Sequence, residues 1–539
     1  MPDPADTRRT GGRMSGNTSR DTHYRNLPLS ADLNHLKLEA KTLKKQFNSG
    51  DSRARDFASF HVVIRTGQLK LAEAQFAIAR SYGFKSWTRL KAYVEAHALN
   101  REDRSNLLLK SIFESNHALL QELYSQRQIL SSLNIFVAGA LGDLETTRSM
   151  LERNPQLATL VGGPRKTQPI TYVAHAPFGI WDQTYPERQQ EIVKLLLKYG
   201  ADPNSFVHEE GRGNKGDGRL SALYGSCRKP GNPALAQILL NAGANPNDGE
   251  SLYHASELKD TRCLQLLFEV GLDKESQEYC IRRALDDENP KAVEIYLQHG
   301  TNPNHLDWAL FRERSFEIVQ FLVNYGADIN RPSPADHWLL VGRIKGLTPI
   351  QIAERNGDSR AVTYFLERGA VDNRTPIDLL IGACARADRE LAEEIRRNHP
   401  DIAATLTGQD HHNLPAFARC GRLESVQIML DAGFDLEART DDLNATALLY
   451  ASTNGDVPMI ELLLRRGARV DVTHKYGGNP LGTAIYCAAY FTNPNGDYPR
   501  AVERLIDAGL PVTEEHLEFA LEHELDEIGD VLKSHGAAI

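Results

Sequence analysis

One recurring phrase constrains what this chain can fold into: a short amphipathic helix, then a glycine, then a polar turn. In EIVKLLLKYGADPN (191–204), Ile192, Leu195, Leu196 and Tyr199 fall at i, i+3, i+4 and i+7, one face of a helix. Gly200 follows where a helix needs a left-handed residue to stop. The phrase returns as LAQILLNAGANPN ending at Asn247, EIVQFLVNYGADIN ending at Asn330 and MIELLLRRGARVD ending at Asp471. One such helix pair cannot bury its apolar face alone. Stacked copies can, and stacking makes an elongated solenoid whose usual work is binding.

The other helix of each pair opens on its own phrase. Thr348-Pro349-Ile350-Gln351-Ile352-Ala353 is the fullest copy. Thr446-Ala447-Leu448-Leu449-Tyr450-Ala451, Ser251-Leu252-Tyr253-His254-Ala255 and Asn479-Pro480-Leu481-Gly482-Thr483-Ala484 are looser ones. The Thr, Ser or Asn accepts a hydrogen bond from an unpaired amide of the first turn. Proline suits the first helical position, where no amide bond is lost. The Leu or Ile is buried, and the Ala lets neighbouring helices approach. These openings predict first helices near 106, 134, 168, 219, 251, 277, 306, 348, 376, 413, 446, 480 and 515. The spacing is about 34 residues, close to one known helix-pair period.

As a set these motifs resemble those of ankyrin-repeat proteins, over about 430 residues. The resemblance implies an all-α fold: a curved solenoid of about 13 ankyrin-type helix–turn–helix units over 106–539, behind a small helical module. Residues 71–96, LAEAQFAIARSYGFKSWTRLKAYVEA, also resemble the helical front region of bacterial ankyrin-repeat proteins of unassigned role, and DGESLYHASE (248–257) is similar to a phrase of the same group. That implies a bacterial, cytoplasmic interaction protein.

The front end differs from the repeats in charge. Residues 1–100 carry 17 Lys and Arg against 9 Asp and Glu, a balance of +8, so the remainder of a chain of net charge −9 carries −17. An acidic body argues against nucleic acid along the repeats. Residues 1–28 are polar and predicted disordered. Residues 30–100 read as a helical module, with Leu33, Leu36, Leu38 and Leu43 on a first helix, Asp51 capping a second, and Ser86 capping the helix that carries Trp87, Leu90 and Tyr93. No apolar run is long enough to span a bilayer, and the N-terminal stretch has no apolar core of a secretory signal. Six scattered cysteines without a CxxC pair read as buried hydrophobes in a reducing cytoplasm.

Several stretches depart from the repeat. VHEEGRGNKGDGR (207–219), RPSPADHWLLVGRIKG (331–346), FTNPNGDYP (491–499) and APFGIWDQTYPERQQ (176–190) read as loop insertions, which project from a solenoid and often bind. The pairs ending ERNPQL and RRNHPDI lose the glycine turn. The last pair is strongly acidic, as an exposed solenoid end requires.

Chemistry has few footholds. Gly211, Gly213 and Gly216 spell GxGxxG, but in an insertion without the strand and acidic residue of a dinucleotide site. No P-loop, HExxH, GxSxG or Cys/His cluster occurs. Neither a catalytic residue, a cofactor nor a metal is expected. His254 takes the place where the ankyrin phrase carries a histidine bonded to the inter-repeat turn. A partner protein is the expected ligand, held by the concave face and the insertions. Aromatic and polar residues interrupting the helix openings are the candidates: Tyr172, His175, Tyr224, Trp308, Tyr450, Tyr486 and Tyr490, with Trp181 and Trp338 in insertions, and about half of them are expected to be exposed. Two alternatives stand behind this reading. One is a nucleic-acid-linked regulator using Lys41, Lys44, Lys45, Arg53 and Arg55 with Lys85, Arg89 and Lys91 beside Phe84 and Trp87. The other is an enzyme or toxin activity in residues 30–100.

Overall fold

In a computed structural model of the protein, residues 23–537 are described, apart from 26, 29–30, 63, 65–67, 115–116, 209–217, 335–340 and 524. Of the predicted tail 1–28, residues 1–22 and 26 fall outside the described residues, as do the GxGxxG run and Trp338, while the Arg25 amide donates to the Ser81 carbonyl at 2.8 Å.

Helix follows helix. Four of them, Leu33–Asn48, Ser52–His61, Leu71–Ser81 and Trp87–His97, form the front end. They share a core of Leu36, Ala40, Leu43, Phe47, Leu71, Ile78 and Leu90. The first helix buries Leu36, Ala40, Leu43 and Phe47, a stripe at spacings of four and three. Leu38 lies off that stripe and is exposed. The two expected caps are made: Asp51 accepts from the Ala54 amide and Ser86 from the Arg89 amide.

From Arg101 the helices come in pairs, and every first helix anticipated from the opening phrases is present. The early pairs are Arg101–Ser111 with His117–Ser125, Ile135–Ala140 with Leu144–Arg153, and Pro169–His175 with Tyr185–Lys198. Ala222–Cys227 with Pro233–Asn241, Ser251–Ala255 with Arg262–Val270, Lys274–Asp286 with Pro290–Gln298, and Leu306–Phe311 with Phe316–Asn324 follow. The last six are Pro349–Asn356 with Ser359–Glu367, Pro376–Ala385 with Arg389–Asn398, Asn413–Arg419 with Leu423–Asp431, Ala447–Asn454 with Val457–Arg465, Pro480–Tyr490 with Tyr498–Asp507, and Glu514–Glu522 with Asp526–Ser534. First helices pack on first helices: Asn413–Arg419 on Ala447–Asn454, and that on Pro480–Tyr490. Second helices pack on second helices in the same run.

The chain divides into two compact units. One reaches Ser226 and includes Gln237–Ala244; the other comprises Cys227–Ala236 and Asn245–Ile539. The front helices thus share a unit with the first pairs. In the second unit one apolar core runs from Leu380 through Leu414, Leu448 and Leu481 to Leu532.

Local chemistry explains the phrases. Pro349, Pro376 and Pro480 open their helices in the first turn. The Asp378 carboxylate accepts from the Thr375 amide, while the Thr375 hydroxyl accepts from the Asp378 amide, a reciprocal cap. Second helices carry a device that the opening phrases do not show. In the Gly-Asp steps at 142, 357, 455 and 496, the aspartate caps the next helix, accepting from the amides of Thr146, Ala361, Met459 and Arg500. Gly200 takes φ +88°, the left-handed turn expected of it.

Two expectations need correction. The stretch 207–219 is not simply a loop: Phe206–His208 pairs antiparallel with Arg219–Ser221, a short ribbon on an otherwise helical fold. Phe206 and Val207 are the β-formers that favour it. The stretch 176–190 is only half insertion. Tyr185–Lys198 starts inside it, because Pro186 sits in the first turn where proline is tolerated.

Candidate interaction surface

The candidate aromatics separate into two groups by where their helices point them. Tyr172, His175, Tyr224, Trp308 and Tyr450 are buried, which corrects the expectation that about half of the nine are exposed. Their polar tips hold loops. The Tyr172 hydroxyl accepts from the Arg165 amide at 2.8 Å and lies 3.2 Å from the Gly162 carbonyl, bracing the turn before its own helix. The Tyr450 hydroxyl donates to Asp442 at 3.0 Å and meets the Thr440 hydroxyl at 2.9 Å, tying down the loop that leads into Ala447–Asn454. The Trp308 indole N–H donates to Asp286 at 3.0 Å, and the guanidinium groups of Arg282 and Arg312 lie 5.2 and 5.5 Å from its ring. His175 Nε2 meets the Ser221 carbonyl at 2.8 Å, beside Tyr224. In each case a helix-opening aromatic faces the neighbouring chain segment rather than solvent. Trp181 is half-buried against Phe178 and His117.

Tyr486 and Tyr490 behave as expected. They stand at i and i+4 on Pro480–Tyr490, 48% and 54% exposed, with their rings 4.8 Å apart. The structure adds partners that sequence reasoning missed. Phe491, the next residue, is 66% exposed. From the adjoining first helix Glu514–Glu522, Phe519 lies 6.1 Å from the Tyr486 ring. His523 stacks on Phe519 at 4.1 Å, and its Nε2 is 2.5 Å from the Tyr490 hydroxyl. The signal was available: aromatics four apart on one first helix, and an aromatic and a histidine four apart on the next. Exposed Glu514, Glu515, Glu518 and Glu522 flank this patch, so it is apolar with an acidic border.

The histidines do other work. His254 lies 3.4 Å from Glu250 and 3.2 Å from Glu257. Arg283 also holds Glu257. Burial pulls the imidazole pKa down, but the hydrogen bonds and charges of Glu250 and Glu257 outweigh it, and the net shift is upward from 6.5. A raised folded pKa means stability that is fully present below pH 6.5 and is lost as pH rises through the folded value. His254→Gln should therefore unfold more easily than wild type at pH 5.5, by about 1 kcal/mol, with the gap closing at pH 8.5. Thermal melts across that range check it, and a gap that widens with pH contradicts the ion pairing. His411 accepts from the Asp435 amide. Among the described residues no group of His, Cys, Asp and Glu is placed to hold a metal ion. None of the described helices is long and apolar enough to cross a membrane. Phe84 and Trp87, the aromatics beside the basic front residues, are partly buried and pack against the module's own core.

Comparison with known proteins agrees with the repeat geometry. Residues 414–516 match the family model for ankyrin repeats in three copies. The chain is 23% identical over 368 residues to the ankyrin repeat domain-containing protein SAT10 of Stachybotrys chartarum, a match covering 59% of this chain and 17% of that protein. It is 31% identical over 122 residues to the transient receptor potential channel pyrexia of Drosophila melanogaster, covering 20% and 11%. Over 274 residues it is 24% identical to the human transient receptor potential cation channel subfamily A member 1, covering 46% and 24%. The matched stretches thus span a quarter or less of these curated relatives. Among solved structures it is similar to an ankyrin repeat domain from Acinetobacter baumannii, with 22% identity, a TM-score of 0.26 and coverage of 35% of this chain and 98% of that one. The human ASB11 ankyrin repeat domain gives 20% identity, a TM-score of 0.22 and coverage of 43% and 98%.

Proposed function

We propose that this protein is a non-enzymatic adaptor that holds a partner protein on the first-helix face of its last repeats. The observation that carries the reading is the exposed aromatic patch of Tyr486, Tyr490 and Phe491, backed by Phe519. Tyrosines bury much area at little entropic cost, and interfaces concentrate their energy in such residues. The acidic border of Glu514, Glu515, Glu518 and Glu522 selects a segment with an apolar anchor flanked by Lys or Arg, through complementary charge. Ankyrin repeats are generally protein-binding modules, and residues 414–516, which match their family model, include Tyr486, Tyr490 and Phe491. The reading includes a reducing, cytoplasmic setting, supported by six free cysteines, and a bacterial source, supported by the resemblance of residues 71–96.

A photo-crosslinking residue at 486 or 490, in cells, tests this. Both positions should capture the same protein, and the exposed position 500 on the second-helix side should not. Tyr486→Ala and Tyr490→Ala should then each weaken binding by about 2 kcal/mol, roughly thirtyfold in Kd. Equal capture from position 500, or unchanged affinity in the double variant, rejects the assignment.

A further inference from the structure

Within the second unit a cleft of about 270 Å³ opens between the end of Leu306–Phe311, the short helix Val341–Ile344, the end of Asn413–Arg419 and the loop at 440–442. Charged side chains crowd it, and nearly all are already paired. Arg312 meets Asp286 at 3.1 Å, Arg314 meets Glu288 at 3.4 Å, and Arg419 meets Asp442 at 3.4 Å. Glu313 is held by Arg422, and Asp441 faces His412 at 3.8 Å.

Arg343 is the exception. Its guanidinium lies over the rings of Phe311 and Phe417, 5.8 and 5.7 Å from their centroids. Nε donates to the Asn413 side-chain carbonyl at 3.0 Å, and one amino group donates to that of Asn356 at 2.8 Å. Both partners are neutral amides. No carboxylate among the described residues forms an ion pair with it, its other amino group takes no side-chain partner, and the residue lines the cleft. Protein surrounds the group densely enough for desolvation to pull its pKa down. The side chain is half-buried, and Glu313, whose charge acts on it, is already held by Arg422, so an arriving anion offsets part of the cost of the lost water. The two amides and two rings fix the plane of the group beforehand, so little order is lost on binding.

We infer that this cleft is a binding site for a carboxylate, which accepts from the free amino group of Arg343. Glu313, Asp441 and Asp442 at the walls select a singly charged oxyanion over a phosphate dianion. The site goes beyond the aromatic patch and does not depend on it.

Cys420 supplies the test. It lines the cleft and is exposed, whereas the other five cysteines are buried. Its rates of labelling by an anionic (sulfonatoethyl) and a cationic (trimethylammonioethyl) methanethiosulfonate are measured on the full chain, each divided by the reagent's rate with 2-mercaptoethanol. Cys420→Ser assigns the signal. The normalised rates should favour the anion by roughly tenfold at low salt, and Arg343→Gln should bring the ratio near one. Butyrate and acetyl-Gly-Glu-Gly-amide serve as protectants. Protection by butyrate alone identifies a free monocarboxylate, and protection by the peptide identifies an acidic side chain. The wild-type comparison needs no variant to fold. A ratio of one or less, protection by neither carboxylate, or better protection by inorganic phosphate at matched ionic strength overturns the assignment.

Discussion

Arg355→Met is expected to destabilise the second unit by about 3–5 kcal/mol, the size seen when one member of a buried ionic cluster is removed. Arg355 Nε lies 2.5 Å from Asp378 and its Nη1 lies 2.7 Å from Asp410, and all three side chains are nearly inaccessible. The methionine fills similar volume but leaves two carboxylates buried without their cation. Neither can be spared easily. Asp378 also accepts from Gln351 and caps Thr375, and Asp410 accepts from the Thr407 hydroxyl and amide. One guanidinium therefore ties Pro349–Asn356 to Pro376–Ala385 and to the short helix Gly408–His411. A helical repeat need not unfold in a single step, so the urea midpoint should be read together with hydrogen exchange in those helices. Adding Asp378→Asn to Arg355→Met should restore part of the loss, because the amide keeps an accepting oxygen and sheds the charge. A loss below about 1 kcal/mol in the single variant would mean that water reaches the cluster. The acid side gives a further sign. Burial pushes the Asp410 pKa up, but its bonds to Thr407 and the charge of Arg355 leave it below 3.8. Its contribution is present above that value and is lost as pH falls through the folded pKa.

None of this cluster was legible in the sequence, although the fold was. Helix boundaries follow from local chemistry: a Thr-Pro start, an apolar stripe at three and four, and a glycine stop such as Gly200. Those signals lie within a dozen residues of one another. Arg355, Asp378 and Asp410 are separated by 23 and 32 positions and meet only because consecutive pairs stack with one register. The same distinction explains the candidate surface. Tyr450 and Tyr486 stand on comparable first helices but at different places, Tyr450 four residues after its cap Thr446 and Tyr486 seven after its cap Asn479. Tyr450 is buried because the loop carrying Thr440 and Asp442 folds over it. Tyr486 is exposed, with Tyr490, Phe491 and Phe519 around it on an open face. Exposure of a first-helix aromatic therefore depends on its place in the repeat and on whether the preceding loop covers it, and loop course is set by neighbours rather than by the phrase.

Gly382→Ala sets local preference directly against stacking, and stacking should win. Position 382 lies inside the helix Pro376–Ala385, where alanine is favoured over glycine by about 1 kcal/mol. Propensity alone therefore predicts a more stable protein. The added methyl group, however, would stand 2.6 Å from the Glu354 backbone carbonyl oxygen and would press on the Glu354 carboxylate as well. That carboxylate cannot swing aside freely, because Arg374 holds it at 2.7 Å and Arg386 at 2.9 Å. The carbonyl belongs to the helix Pro349–Asn356 and moves only if the whole helix moves. The two helices must separate, and overpacking of this kind costs more than propensity returns; a net loss of about 2–3 kcal/mol is expected. Urea unfolding of the variant decides it. A gain in stability would show that the first helices of these two pairs stand farther apart than the contact at Gly382 requires. A loss would show that a missing side chain at one position sets how closely successive repeats can stack.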